Sequence, residues 1–169
     1  QSEGVSPLLL PPLLPQSSEI TVRKLLEPLI SRASATANLQ RKQWHGPSSW
    51  PVWTEKERPS GDGVVAEIVA NLLENAFRYS KEGDSIGLCL MDNRLCVWDS
   101  GNPIPFDERD KIFTKGFRGK SALDYSGNGI GLALGLQLAK KIGGSLELVF
   151  SPANVDQNLP SKGNAFLLT

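Results

Sequence analysis

The chain has 169 residues, enough for one domain with a tail but too few for two full domains. Hydrophobic residues make up 40% and charged residues 21%, which argues against wholesale disorder and against a fibrous repeat. Lys and Arg total 18, as do Asp and Glu, so the net charge is zero and neither nucleic acid nor an anionic membrane is expected as a partner.

In chain order, residues 1–18 read as a linker broken by Pro7, Pro11, Pro12 and Pro15. The apolar run Leu8–Leu14 is too short for a membrane span and lacks the basic start of a signal peptide. The expected compartment is the cytoplasm. From Glu19 a domain begins, with a short strand over Glu19–Val22 and an amphipathic helix over Arg23–Ala37. The Trp- and Pro-rich stretch from Gln40 to Pro59 predicts one irregular strand near Trp50–Trp53. Asp62 stands as an N-cap before a helix over Gly63–Ser80, with Val65, Ile68, Val69, Leu72, Leu73 and Ala76 as its buried stripe.

Alternation predicts strands over Ser85–Met91 and Arg94–Asp99, joined by an Asp92-Asn93 turn. In that register Cys89 faces Cys96 as a pair of reduced thiols, too few for a disulfide framework or a zinc site. The polar segment from Gly101 to Gly127 holds one helical turn near Glu108–Phe113 and has the length of a functional lid. A helix over Asn128–Ile142 and strands over Ser145–Phe150 and Ala165–Thr169 complete the chain. The expected class is α+β, a two-layer α/β sandwich whose mixed, mostly antiparallel sheet is covered by helices on one face.

Three features carry chemistry. Asn71, Asn75, Arg78 and Tyr79 recur on one face of the helix beside its buried stripe. Asparagine is a mediocre helix former; two on one edge serve either solvation or an oxygen-seeking cation such as Mg²⁺. Asp99, at a strand end on the face of Leu95 and Val97, points inward and needs donors, either a helix terminus or a ligand amino group. Gly127-Asn128-Gly129-Ile130-Gly131 opens a helix whose N–H groups suit a phosphate. The polar stretch Ser121–Ser126 before it excludes a dinucleotide fingerprint, and no Gly-Lys-Ser/Thr follows to make a P-loop.

In this order the features resemble the motif set of sensor histidine kinases over roughly residues 19–169. Asn71-Leu72-Leu73-Glu74-Asn75-Ala76-Phe77-Arg78-Tyr79-Ser80 resembles the N box, and Asp99-Ser100-Gly101 the G1 box. Phe113 and Phe117-Arg118 resemble the F box, and Gly127-Asn128-Gly129-Ile130-Gly131-Leu132 the G2 box. The resemblance implies the Bergerat fold shared with gyrase, mismatch-repair ATPases and a heat-shock chaperone, with ATP and Mg²⁺ as cofactors. By that resemblance Asp99 accepts the adenine amino group, with Gly101 and Ile104 beside it, and Tyr79 lies against the base. Asn75 holds Mg²⁺ with Asn71 alongside, and Arg78 and Arg118 reach phosphates. Gly127, Gly129, Ile130, Gly131 and Leu132 cradle the triphosphate, and residues 102–126 form the ATP lid. The lid is expected to be the least ordered part without nucleotide, with Phe113 and Phe117 anchoring one end and Arg118–Ser126 left free. Lys115 and Lys120 are further candidate phosphate contacts.

Two positions depart from the pattern. Pro103 stands where the G1 box usually continues toward a second glycine, which stiffens the lid hinge. Gly163-Asn164 stands where the family often has Gly-Thr. The sole histidine, His45, sits beside Gly46-Pro47 and reads as a loop residue rather than a helical phosphoacceptor. The expected function is therefore donation of the γ-phosphoryl group to a histidine on a separate dimerisation/phosphoacceptor domain, in a homodimeric full-length protein that signals to a response regulator. Hydrolases of the fold carry glutamate where this chain has Asn71, and neither Glu67 nor Glu74 is expected to replace it as a base. A nucleotide-binding regulatory module without transfer activity and a gyrase-type ATPase are the alternatives.

Overall fold

The computed structural model describes residues 21–56, 62–114 and 131–169. The linker expected over 1–18 lies outside them. Helix α1 spans Val22–Gln40, capped by the Thr21 hydroxyl, which accepts the Lys24 N–H at 3.2 Å. Val22 thus starts the helix; of the strand expected over Glu19–Val22, Thr21 is extended and forms a β-bridge, and residues 19–20 lie outside the described residues. The helix runs past Ala37 and stops where Arg41 turns left-handed, with φ 58°.

Strand β1, Gln43–His45, was not expected. It pairs in parallel with β2, Ser85–Leu90, through Gln43↔Ser85 and His45↔Gly87. Three residues are too few to show a period of two, so only the distant partner reveals the strand. The strand expected near Trp50–Trp53 is instead a 3-10 turn, Val52–Glu55. Pro51 opens it, its carbonyl accepting from both Thr54 N (3.0 Å) and Thr54 Oγ1 (2.6 Å), while the Trp53 indole N–H reaches Met91 O at 2.6 Å.

Helix α2, Asp62–Tyr79, buries Val65, Ile68, Val69, Leu72, Leu73 and Ala76, all the expected stripe. The Lys42 ammonium closes its end, donating to Phe77 O (2.8 Å) and Ser80 O (3.1 Å). Strands β2 and β3 (Leu95–Asp99) form the expected hairpin, with Met91 N bonded to Arg94 O at 2.9 Å. Cys89 lies opposite Cys96, and both are free cysteines. Helix α3 spans Gly131–Lys141, so the expected start at Asn128 falls outside the described residues; β4 is Leu146–Phe150 and β5 is Asn164–Leu168.

The sheet order is β1-β2-β3-β5-β4, with every pairing antiparallel except β1–β2. The three helices cover one face, over a core that includes Leu26, Ile68, Leu72, Leu88, Val97, Leu132 and Phe166. The opposite face carries a smaller cluster of Cys96, Trp98, Ala165 and Leu167, against which Val155 and Leu159 pack. Period two along β3 thus sends Leu95, Val97 and Asp99 toward the helices and Cys96 and Trp98 away. The fold is the expected α+β sandwich. Among the described residues no helix is long and apolar enough to cross a membrane.

Candidate functional site

The end of β3 and the last turns of α2 build the site. Asp99 is 1% exposed, and burial pushes its carboxyl up to about 7 against two hydrogen bonds that lower it. Its Oδ1 accepts from Gly101 N at 2.8 Å and from the Asn164 amide at 3.2 Å. Both described donors go to that one oxygen; Oδ2 accepts from none of the described residues. Gly101 has no room for a side chain, since a Cβ there would stand 2.7 Å from Tyr79 O and 3.0 Å from Asp99 Oδ1. That close approach brings Tyr79, Gly101 and Asp99 together at the end of α2.

One and two turns earlier on α2, the Asn71 and Asn75 side chains each keep a buried Nδ2 without a hydrogen-bond partner. Native interiors seldom leave such groups unpaired, and two on one helix edge mark a place built for something else. Arg78 is half-buried and pairs with Glu74 at 3.6 Å. Asn71, Glu74 and Arg78 also line a cleft of about 750 Å³ between α1 and α2, with Arg32 and Lys42 on its far wall. Glu67 is exposed.

The described part of the expected lid, residues 102–114, packs on the body of the domain at Ile104, Ile112 and Phe113, while Phe106 is exposed. Ile104 and Ile112 are each 2% exposed, and Phe113 meets Phe166 edge-on at 6.2 Å. Leu132 is buried in the helical core and Gly131 opens α3. Arg118, Gly127, Gly129 and Ile130, with Lys115, Phe117 and Lys120, lie outside the described residues. His45 is not in a loop: it ends β1, its Nε2 lies 3.3 Å from Ser85 Oγ, and its ring packs 5.4 Å from Trp98 on the face away from Asp99. Sequence reasoning missed two polar residues, Asn164 behind Asp99 and Lys42 at the end of α2. The one available signal for Asn164 was its departure from the family's Gly-Thr.

The profile of the histidine kinase-, DNA gyrase B- and HSP90-like ATPases matches residues 62–169. The chain belongs to this family. Sensor histidine kinase Hik2 of Thermosynechococcus vestitus is 36% identical over 165 residues, covering 93% of this chain and 40% of Hik2. The signal transduction histidine-protein kinase/phosphatase MprB of Mycolicibacterium vanbaalenii is 39% identical over 94 residues, 52% of this chain and 19% of MprB. Among solved structures, a mycobacterial sensor histidine kinase MprB aligns with TM-score 0.69 and 25% identity, over 88% of this chain and 94% of that one. The catalytic domain of histidine kinase ThkA shares the fold, with TM-score 0.67 and 19% identity over 88% of this chain and 92% of that one. This is a histidine kinase catalytic, ATP-binding domain, and it spans well under half the length of Hik2 and MprB.

Proposed function

We propose that this kinase domain binds Mg²⁺–ATP and donates the γ-phosphoryl group to a histidine on a separate dimerisation/phosphoacceptor domain of a homodimeric sensor, which then signals to a response regulator. The observation that carries the reading is Asp99: a buried carboxylate with one oxygen held by Gly101 and Asn164 and the other without a described donor. A purine amino group is the neutral donor that such an oxygen lacks, and guanine offers a carbonyl at that position instead. Tyr79 at the adjoining end of α2 supplies an aromatic ring for the base.

The amide oxygens of Asn75 and Asn71 fit a hard cation that prefers oxygen and keeps several ligand positions for phosphate and water. Their unpartnered buried nitrogens support this, since no internal hydrogen bond commits either amide and its oxygen is left to orient toward a ligand. Bound there, Mg²⁺ would supply charge neutralisation of the phosphates. Arg78 and Arg118 would orient phosphate oxygens, and the glycines from Gly127 to Gly131 would accommodate them, with the lid closing from its packed start at residues 102–114.

In the transfer, a P–N bond forms to the acceptor imidazole as the bond between the γ-phosphorus and its bridging oxygen breaks and ADP leaves. Asn71 offers no carboxylate to activate water, so transfer to a protein acceptor is favoured over hydrolysis. His45 packs on the face of the sheet opposite Asp99, which supports an acceptor supplied by another domain. The test is calorimetry with ATP and GTP, followed by transfer to a separately expressed phosphoacceptor domain. Equal affinity for the two nucleotides would overturn the adenine assignment; steady phosphate release without any acceptor would overturn the kinase reading.

A further inference from the structure

The residue pair Gly163-Asn164 stands behind Asp99 at the centre of the site, and Asn164 reaches beyond the carboxylate. Gly163 has φ 125°, and a Cβ there would collide with the Asp99 carbonyl. Its missing side chain lets β5 begin flush against the end of β3, in the register Asp99↔Asn164. Asn164 is only 2% exposed. Its Nδ2 donates to Asp99 Oδ1 at 3.2 Å and to Asn102 O at 2.9 Å, while its Oδ1 accepts from Ile104 N at 2.7 Å. Both amide hydrogens and the oxygen are engaged, with partners on two different segments.

We infer that Asn164 is a positioning residue that holds the Asp99 carboxylate and the loop start Asn102–Ile104 as one unit, so that base recognition and the placement of the lid's entry are coupled in this chain. The inference rests on Asp99 being the purine acceptor. One amide meets both requirements because it carries two donors and an acceptor; a threonine hydroxyl carries a single hydrogen and keeps one donated link at most. Pro103 strengthens the unit: it lies between the two tethered residues, so its fixed φ acts on backbone that Asn164 already holds at both sides. The charged groups around Asp99 are Asp84, which raises its pKa, and Lys42, which lowers it; Gly101 and Asn164 lower it by hydrogen bonding. Removing the Asn164 donor therefore raises the pH at which Asp99 becomes a carboxylate.

The experiment uses the 169-residue chain, with ADP and no Mg²⁺ as the probe. Asn164→Ala, which removes both donors, is expected to weaken ADP about tenfold, the usual size for one buried hydrogen bond lost from a ligand-facing carboxylate. The pH midpoint of binding should rise in the same variant, and amide exchange at Asn102 and Ile104 should quicken. A purely structural role would lower the melting temperature and leave the pH midpoint where it is. In the unsubstituted chain, the Asn164 side-chain amide resonances should titrate together with the Asp99 carboxyl carbon and shift when ADP binds. That measurement decides the matter if the variant does not fold. Amide resonances indifferent to both pH and ADP, or a folded Asn164→Ala variant with unchanged affinity and pH midpoint, would overturn the inference while leaving the nucleotide reading intact. Failure of the unsubstituted chain to bind ADP would remove both.

Discussion

The two ends of the α2 edge are finished to different degrees. At the Tyr79 end, Asp99 Oδ1 is saturated by Gly101 and Asn164, and Asn164 is itself fully bonded. Toward the middle of the helix, Asn71 and Asn75 keep buried nitrogens with no partner. The end proposed to meet the base is held by hydrogen bonds among its own residues, whereas the end proposed to hold the metal has buried amide nitrogens without a partner. Hydrogen bonds already in place lower the ordering cost of binding, which suits the contact proposed for the base. Under the proposed function, the difference between the ends would separate recognition from chemistry.

Asn75→Ala attacks the unfinished end and should have the largest effect. Transfer to a supplied phosphoacceptor domain should fall by about 100-fold or more, because under the proposed function Mg²⁺ would lose a ligand that fixes its position. ADP affinity without Mg²⁺ should hold within about twofold by calorimetry. The folded domain should lose little or no stability to heat, since the substitution removes an unsatisfied buried amide. Loss of Mg²⁺-free ADP binding would make Asn75 a structural residue and erase the contrast.

Asp99→Asn attacks the finished end. Its amide oxygen retains the Gly101 and Asn164 bonds but turns a donor toward the adenine amino group, so nucleotide affinity should drop by about 2–3 kcal/mol. Stability should move the other way. The carboxyl titrates near 7 in the folded chain, above its unfolded value of about 3.9. The folded state therefore binds a proton more tightly; the stability this contributes is present below about pH 4 and is lost as pH rises through 7. Melting at pH 8 should show Asp99→Asn as stable as the unsubstituted chain or more so; a large loss would mean that the carboxylate itself holds the site together.

The same titration predicts a smaller effect in the unsubstituted chain. Adenine requires the carboxylate form, so ADP affinity should weaken about tenfold per pH unit below 7 and level off above it. A pH-independent affinity between 5.5 and 8 would show that Asp99 stays ionised. The smallest effect tests the geometry of the two faces: His45→Ala should leave phosphotransfer within about twofold, because His45 lies against Trp98 on the far side of the sheet. A loss of transfer comparable to that of Asn75→Ala would place the acceptor in this chain.

Much of the fold was legible because it is written in local periods. The stripe from Val65 to Ala76 repeats at helical spacing, and the hairpin around Asp92-Asn93 alternates cleanly, so α2, β2 and β3 emerged within a residue or two of their observed ends. The polar edge of α2 was legible for the same reason. What escaped has no local signature. Strand β1 exists only because Ser85–Gly87 lies beside it, and Trp53 closes a turn because Met91, far along the chain, offers a carbonyl.

The sequence by itself determined that one helix carries Asn71, Asn75, Arg78 and Tyr79 on a shared edge and that Asp99 ends a strand facing the helices, since a period of 3.6 or 2 assigns each residue to a face. Only the tertiary structure decided that His45 points away from that edge and that Asn164 stands behind Asp99. Both outcomes depend on register between segments 40 and 65 residues apart, set by the packing of the whole sheet and by a glycine that lets two backbones meet.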